Sequence, residues 1–154
     1  MSVPWIIPTR ADLEDVMTSD EIEIAKAHVS VTKVDRVPSI LTNLVAEIRD
    51  MIATWTPNTL SANTAKIPPS FLARAMVLAR GRVLTGIPDY SQDPDRIKES
   101  EEAESFFRLV AKGTIRPQPA DDAVPTNVPN QNPSGVEVVS APGSRTGRQR
   151  MDGI

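Results

Sequence analysis

Pro38-Ser39-Ile40-Leu41-Thr42-Asn43-Leu44-Val45-Ala46-Glu47-Ile48-Arg49-Asp50-Met51-Ile52-Ala53-Thr54-Trp55 decides the fold of this chain. Ile40, Leu41, Leu44, Val45, Ile48, Ile52 and Trp55 fall at spacings of one, three and four, which lays them along one side of a helix. At 1.5 Å per residue that apolar face is about 27 Å long. Pro38 fits the first turn, where its missing N–H would be unpaired in any case. The stretch predicts a central core helix against which the rest must pack.

Upstream, Thr9 precedes Asp12, Leu13, Glu14, Val16 and Met17. A hydroxyl N-cap followed by acidic residues predicts a short helix with Leu13, Val16 and Met17 inward. Thr18 and Glu21 have the spacing of a capping box and predict a second helix running to about His28, with Ile22, Ala25 and Val29 on its buried side. From Val29 to Val37 valines alternate with polar residues, so this segment reads as extended chain, a hairpin or a longer connection.

Downstream, Thr56-Pro57-Asn58 ends the core helix and a Ser, Thr and Asn loop runs to Lys66. Pro68-Pro69-Ser70 then opens a helix to about Leu84, with Phe71, Leu72, Ala75, Met76, Leu78, Ala79 and Val83 packing. Arg74, Arg80 and Arg82 are expected to reach solvent or acidic neighbours. Gly86 is expected as a left-handed C-cap, followed by Pro88. Asp93-Pro94 starts a last helix through Lys112, with Ile97, Ala103, Phe106, Phe107 and Val110 as its apolar contacts and Gly113 past its end. The expected fold class is all-α: a small bundle of about four to five helices with a long extended C-terminal tail.

After Gly113 the character changes. Residues 114–154 hold six of the fourteen prolines and four of the seven glycines, a composition that buries too little apolar surface to offset its ordering entropy. Three parts follow: an N-terminal arm 1–8, a helical domain 9–113, and a flexible Pro/Gly-rich tail 114–154. The tail contains a strand-like island, Val136-Glu137-Val138-Val139, and a basic segment with Arg145, Arg148 and Arg150. Backbone of the first can add to a sheet edge, and the arginines can bind carboxylates in bidentate fashion. Trp5, in the Pro-flanked arm, is a further candidate partner-binding residue. Its burial against its own domain and against a neighbouring copy stand as equal alternatives.

A formal charge of −3 and a pI near 5.2 argue against a protein that wraps nucleic acid, whose affinity comes largely from Lys and Arg on phosphates. With no cysteine, disulfides and thiolate metal sites are excluded, which suits a reducing cytosol. The start of the chain lacks the basic and apolar regions of a secretory signal, and no apolar run approaches a membrane span of about 20 residues. A soluble, unprocessed product without membrane contact is the expectation.

One histidine, His28, leaves no multi-His metal arrangement within one chain. Its place at a helix end favours a capping or solvent role. Ala79-Arg80-Gly81-Arg82-Val83-Leu84-Thr85-Gly86 has two glycines but lacks the Gly-Lys-Ser/Thr ending and preceding strand of a phosphate loop. The acids at 12, 14, 15 and at 20, 21, 23 read as surface that complements helix dipoles rather than as a cation site. No catalytic, metal-ligating or cofactor-binding residue is assigned, and a non-enzymatic protein is expected.

The order of elements resembles the head-tail adaptor, or head-completion, proteins of long-tailed bacteriophages, in the form found in Mu-like prophages. The resemblance rests on Thr9-Arg10-Ala11-Asp12-Leu13 before a short acidic helix pair, and on Val37-Pro38-Ser39-Ile40-Leu41 leading to Trp55. It continues in Ile67-Pro68-Pro69-Ser70-Phe71 leading to Leu84, in Val110-Ala111-Lys112-Gly113, and in the closing Arg150-Met151-Asp152-Gly153-Ile154. Tyr90, in the loop after Gly86, departs from the family's mid-helix tyrosine. The resemblance implies a virion neck protein assembled in the host cytoplasm as a homo-oligomeric, dodecameric ring. That ring would dock on the portal protein, extend the DNA ejection channel for transient passage of DNA, and offer a platform to a downstream neck or tail-terminator protein. A small terminase-like DNA-packaging subunit and a general helical protein-interaction adaptor are the alternatives.

Overall fold

The computed structural model of the chain describes residues 1–55 and 60–123. The core helix expected from its apolar spacing is α3, Val37–Ala53, with Leu44, Ile48 and Ile52 almost wholly buried. Its start is helped by Asp35, whose carboxylate accepts from the Val37 N–H at 3.1 Å. Before it come α1, Arg10–Glu14, and α2, Ser19–Thr32. Both open on a full capping box, Thr9 with Asp12 and Thr18 with Glu21, in which hydroxyl and carboxylate each satisfy a backbone N–H. After it, a 3-10 turn at Pro69–Phe71 leads into α4, Leu72–Thr85, and Asp93 caps α5, Pro94–Ala111. The chain is thus an all-α bundle.

Helices α3, α4 and α5 pack on one another, α1 lies on α4, and α2 touches α4 more lightly. All three phenylalanines of the chain meet where α4 and α5 come together. The rings of Phe71, Phe106 and Phe107 stand edge to face with centroids 5.2 to 5.8 Å apart, an arrangement that adds to the area they bury. Gly113 closes α5 with φ of +75° and sits directly against the Trp55 ring.

Several local expectations are corrected. Residues 29–32 continue α2 instead of forming a strand or hairpin, and Lys33 ends the helix in the left-handed region at φ 60°. Gly86 stays right-handed at φ −76°; the positive φ in that loop belongs to Asp89. Ile97, expected inside, is 46% exposed. Arg80, expected to reach solvent or an acidic neighbour, takes the second course: it is 2% exposed and pairs with Glu99. The packed domain also reaches past Gly113, because Val3 pairs with Pro119 and Asp121, Ser61 bridges to Ala123, and Ala120 is buried. Local composition at Pro117 and Pro119 carries no trace of a pairing more than a hundred residues away in sequence.

Candidate interaction surfaces

Two polar assemblies link helices to loops and to one another. Arg49, on the core helix, donates to three backbone carbonyls of the following loop: Ser61 at 2.8 Å, Asn63 at 3.1 Å and Lys66 at 2.9 Å. Those carbonyls lack helix or sheet partners, so one guanidinium satisfies a whole turn of backbone. Burial lowers the Arg49 pKa, and the negative charge of Asp122 opposes that shift. Asp122 in turn accepts from Ser61 Oγ at 2.9 Å and from Lys66 at 3.4 Å, bonds that hold its carboxyl below the usual range, Ser61 contributing most.

Trp5 completes this end of the bundle. It is 2% exposed, its indole N–H donates to the Gln118 carbonyl at 3.0 Å, and the Arg49 guanidinium lies 5.8 Å from its ring centre. Of the two alternatives for Trp5, burial against its own domain is the one observed, and its side chain is closed to a partner. The arm it anchors pairs with Ile67 through Ile6 and with residues 119–121 through Val3.

A second network joins three helices at the other side. Glu21 lies 3.5 Å from Arg96, Arg96 lies 3.2 Å from Glu99, and Glu99 accepts from Arg80 at 2.6 Å. Arg80 also donates to the Val16 carbonyl at 3.0 Å, so the only deeply buried cation of α4 satisfies the turn after α1. Hydrogen bonding from Arg80 is the main cause of a lowered Glu99 pKa, assisted by Arg96 against desolvation. Such pairs fix geometry more than they add net stability.

His28 is half-buried on the rim of a groove that Leu13, Met17, Ile22, Val29 and Ile87 line. Among the described residues no group of three or more His, Asp or Glu side chains could hold a metal ion, and no helix is long and apolar enough to cross a membrane. Val136, Val138, Val139, Arg145, Arg148 and Arg150 lie outside the described residues. Of the sequence-derived partner-binding candidates, Trp5 alone is among the described residues.

The surface offers two apolar faces, the Ile24 and Val31 side of α2 and a groove between α4 and α5, that the sequence reading did not single out. The inner side of α2 carries Ile22, Ala25 and Val29, each only half-buried, while Ile24 and Val31 on its other side are 37% and 82% exposed. Between α4 and α5 runs an open groove floored by Ala73, Val77, Phe106 and Leu109, with Leu109 40% exposed. Ile24 and Val31, seven residues apart, were the available signal for the first. The groove needs the pairing of two distant helices and leaves none. No known protein family, curated protein or solved structure matches the chain.

Proposed function

We propose that this chain is a head-tail adaptor of a tailed bacteriophage neck: a virion protein that assembles as a ring on the portal, extends the DNA channel and receives the next neck or tail protein. The observation that carries the reading is where the resembling motifs fall. Thr9 caps α1, Pro38 lies in the first turn of α3, Pro68 directly precedes the turn into α4, and Val110 to Gly113 closes α5 beneath Trp55. The motifs are the joints of this fold, so a shared order of motifs means a shared order of joints.

Charge placement supports the adaptor over a DNA-packaging subunit. Arg49, Arg80, Arg82, Arg96 and Arg108 are each engaged by backbone carbonyls or carboxylates. A recognition helix needs free cations beside a groove of DNA. An acidic domain that holds these five arginines in such bonds offers less for passing DNA to bind.

In this reading the segment after Ala123 is the docking element, through Val136 to Val139 and Arg145, Arg148 and Arg150. Weak single contacts gain strength when many copies of a ring bind together. The test is truncation after Ala123, with folding checked by circular dichroism. The truncated domain is expected to stay helical and to fail in completing neckless heads. Completion at the full-length level would reduce the segment to a spacer.

A further inference from the structure

We propose that the segment Val136 to Val139 folds back on its own chain and seats a valine in the apolar cavity walled by α1, α2 and the end of α4. The contact stands without the adaptor reading; only its consequence, that the docking segment is held until a partner displaces it, rests on that reading.

The cavity has a volume of about 150 Å³, and Leu13, Met17, Ile22, Val29, Val83 and Ile87 supply most of its apolar wall. Apolar cavities of this size stay dry and accept a guest about as large as benzene, which is room for one branched aliphatic side chain. Ile22, Ala25 and Val29 face inward on α2 yet stay half-buried because they border this space. Val34, 55% exposed, stands at its mouth.

Sequence selects the guest. In residues 124–154 the large apolar residues Val124, Val128, Met151 and Ile154 stand singly, whereas Val136, Val138 and Val139 stand together. Reach permits the contact. Ala123 bridges to Ser61, whose carbonyl accepts from Arg49, and Arg49 lies twelve residues along α3 from Val37 in the cavity wall, about 18 Å. The chain from Ala123 to Val136 extends to at most about 45 Å. So short a tether holds the segment at about millimolar local concentration, and a contact too weak to capture a free peptide is still occupied.

Charge separates this cavity from the α4–α5 groove. Of the titratable side chains on the cavity, Arg10 and Asp35 pair with each other, which leaves Lys26 and Arg36 against Glu14, beside His28, which can only add positive charge. The Arg36 guanidinium lies over the last turn of α4, 3.4 Å from where a Cβ on Gly86 would stand. Neither Arg36 nor Lys26 forms a salt bridge with a described residue. The groove instead sets Arg74 and Lys98 against Glu99, Glu101 and Glu102, a balance that repels Glu137. In extended chain Val136, Val138 and Ser140 share one side, so Val138 enters the cavity and Glu137 is left at the rim, within reach of Arg36. Arg145 is about 20 Å of extended chain beyond Val139, outside what the cavity takes in.

The chain has no cysteine, so an engineered pair reports the contact in the full-length protein. Val34→Cys with Ser140→Cys puts one thiol at the mouth and one just past the guest; Leu109→Cys with Ser140→Cys is the control, in the groove. Under mild oxidation, read on non-reducing gels, the first pair is expected to close into a monomeric disulfide about tenfold faster than the second. Val138→Asp should bring that rate down to the control's. Arg36→Glu should slow it, and Glu137→Arg added to Arg36→Glu should restore it. Closure no faster than the control, a disulfide between chains, or a rate untouched by Val138→Asp would overturn the proposal. The Val138→Asp arm leaves the packed domain unchanged, so it decides the matter whatever Arg36→Glu does to the fold. The oxidised chain is expected to lose its place on portal-bearing heads and to recover it on reduction. Binding by both forms would remove the hold, and binding by neither would remove the adaptor role while the contact stands.

Discussion

Replacing Gly113 by alanine probes the joint on which the end of α5 turns. An ideal Cβ at this position would lie 2.6 Å from both Cδ2 and Cε3 of Trp55, and the backbone φ is +75°. Two separate effects oppose the methyl group. The left-handed conformation costs a residue with a Cβ about 1–2 kcal/mol. Overpacking against a ring costs about 1–3 kcal/mol more, and here Trp55 is held between Gly113 and the Arg116 guanidinium, 5.3 Å from its ring centre. Alanine restricts the unfolded chain and returns about 0.4–1 kcal/mol, so a net loss of about 1–4.5 kcal/mol is expected. Urea unfolding followed by tryptophan fluorescence measures it. Gly81→Ala is the control: its Cβ would meet only Ser100 Oγ at 3.1 Å, within a helix, where alanine is favoured by about 1 kcal/mol. That change is expected within about 1 kcal/mol of wild type. A loss below about 0.5 kcal/mol for Gly113→Ala would refute the reasoning, since it is the size of an ordinary surface change.

Leu44→Ala or Ile48→Ala, at positions 2% and 1% exposed, should each destabilise the domain by about 2–5 kcal/mol in the same unfolding assay. Arg49→Met removes the guanidinium that three loop carbonyls share, Asn63 keeping its turn bond from the Lys66 N–H; it should lower stability by at least about 1.5–3 kcal/mol, the worth of one charged hydrogen bond, and expose the segment near Ser61 to limited proteolysis. Glu99 has a depressed pKa in the folded state, so its contribution is fully present above its unfolded pKa and is lost as pH falls through the folded value. Stability measured from neutral pH down through the acidic range should therefore drop less steeply in Glu99→Gln than in wild type.

The elements that were legible in the sequence are those whose cause is local. Thr9, Thr18 and Glu21 announce helix starts because a capping bond spans three residues, and Ile40 to Ile52 announces the core because helical periodicity repeats within one segment. Errors arose where two local rules competed. Val29 and Val31 alternate like a strand, yet the helix continues through them, leaving Val31 outside; Lys33, without the freedom of glycine, takes the left-handed end. The positions that tie the molecule together were the least legible. Trp5 on Gln118, Arg49 on a loop twelve or more residues away and Arg80 on Val16 depend on distant chain segments meeting. Their residue types suggest interfaces or solvent until the fold supplies the partner.

The adaptor reading is tested most directly by mixing the purified full-length chain with portal-bearing phage heads that lack a neck, sedimenting the heads, and counting the copies retained. The account predicts retention of one ring's complement on each head, absent from heads without a portal. A chain left in the supernatant, or bound equally to heads with and without a portal, would contradict it.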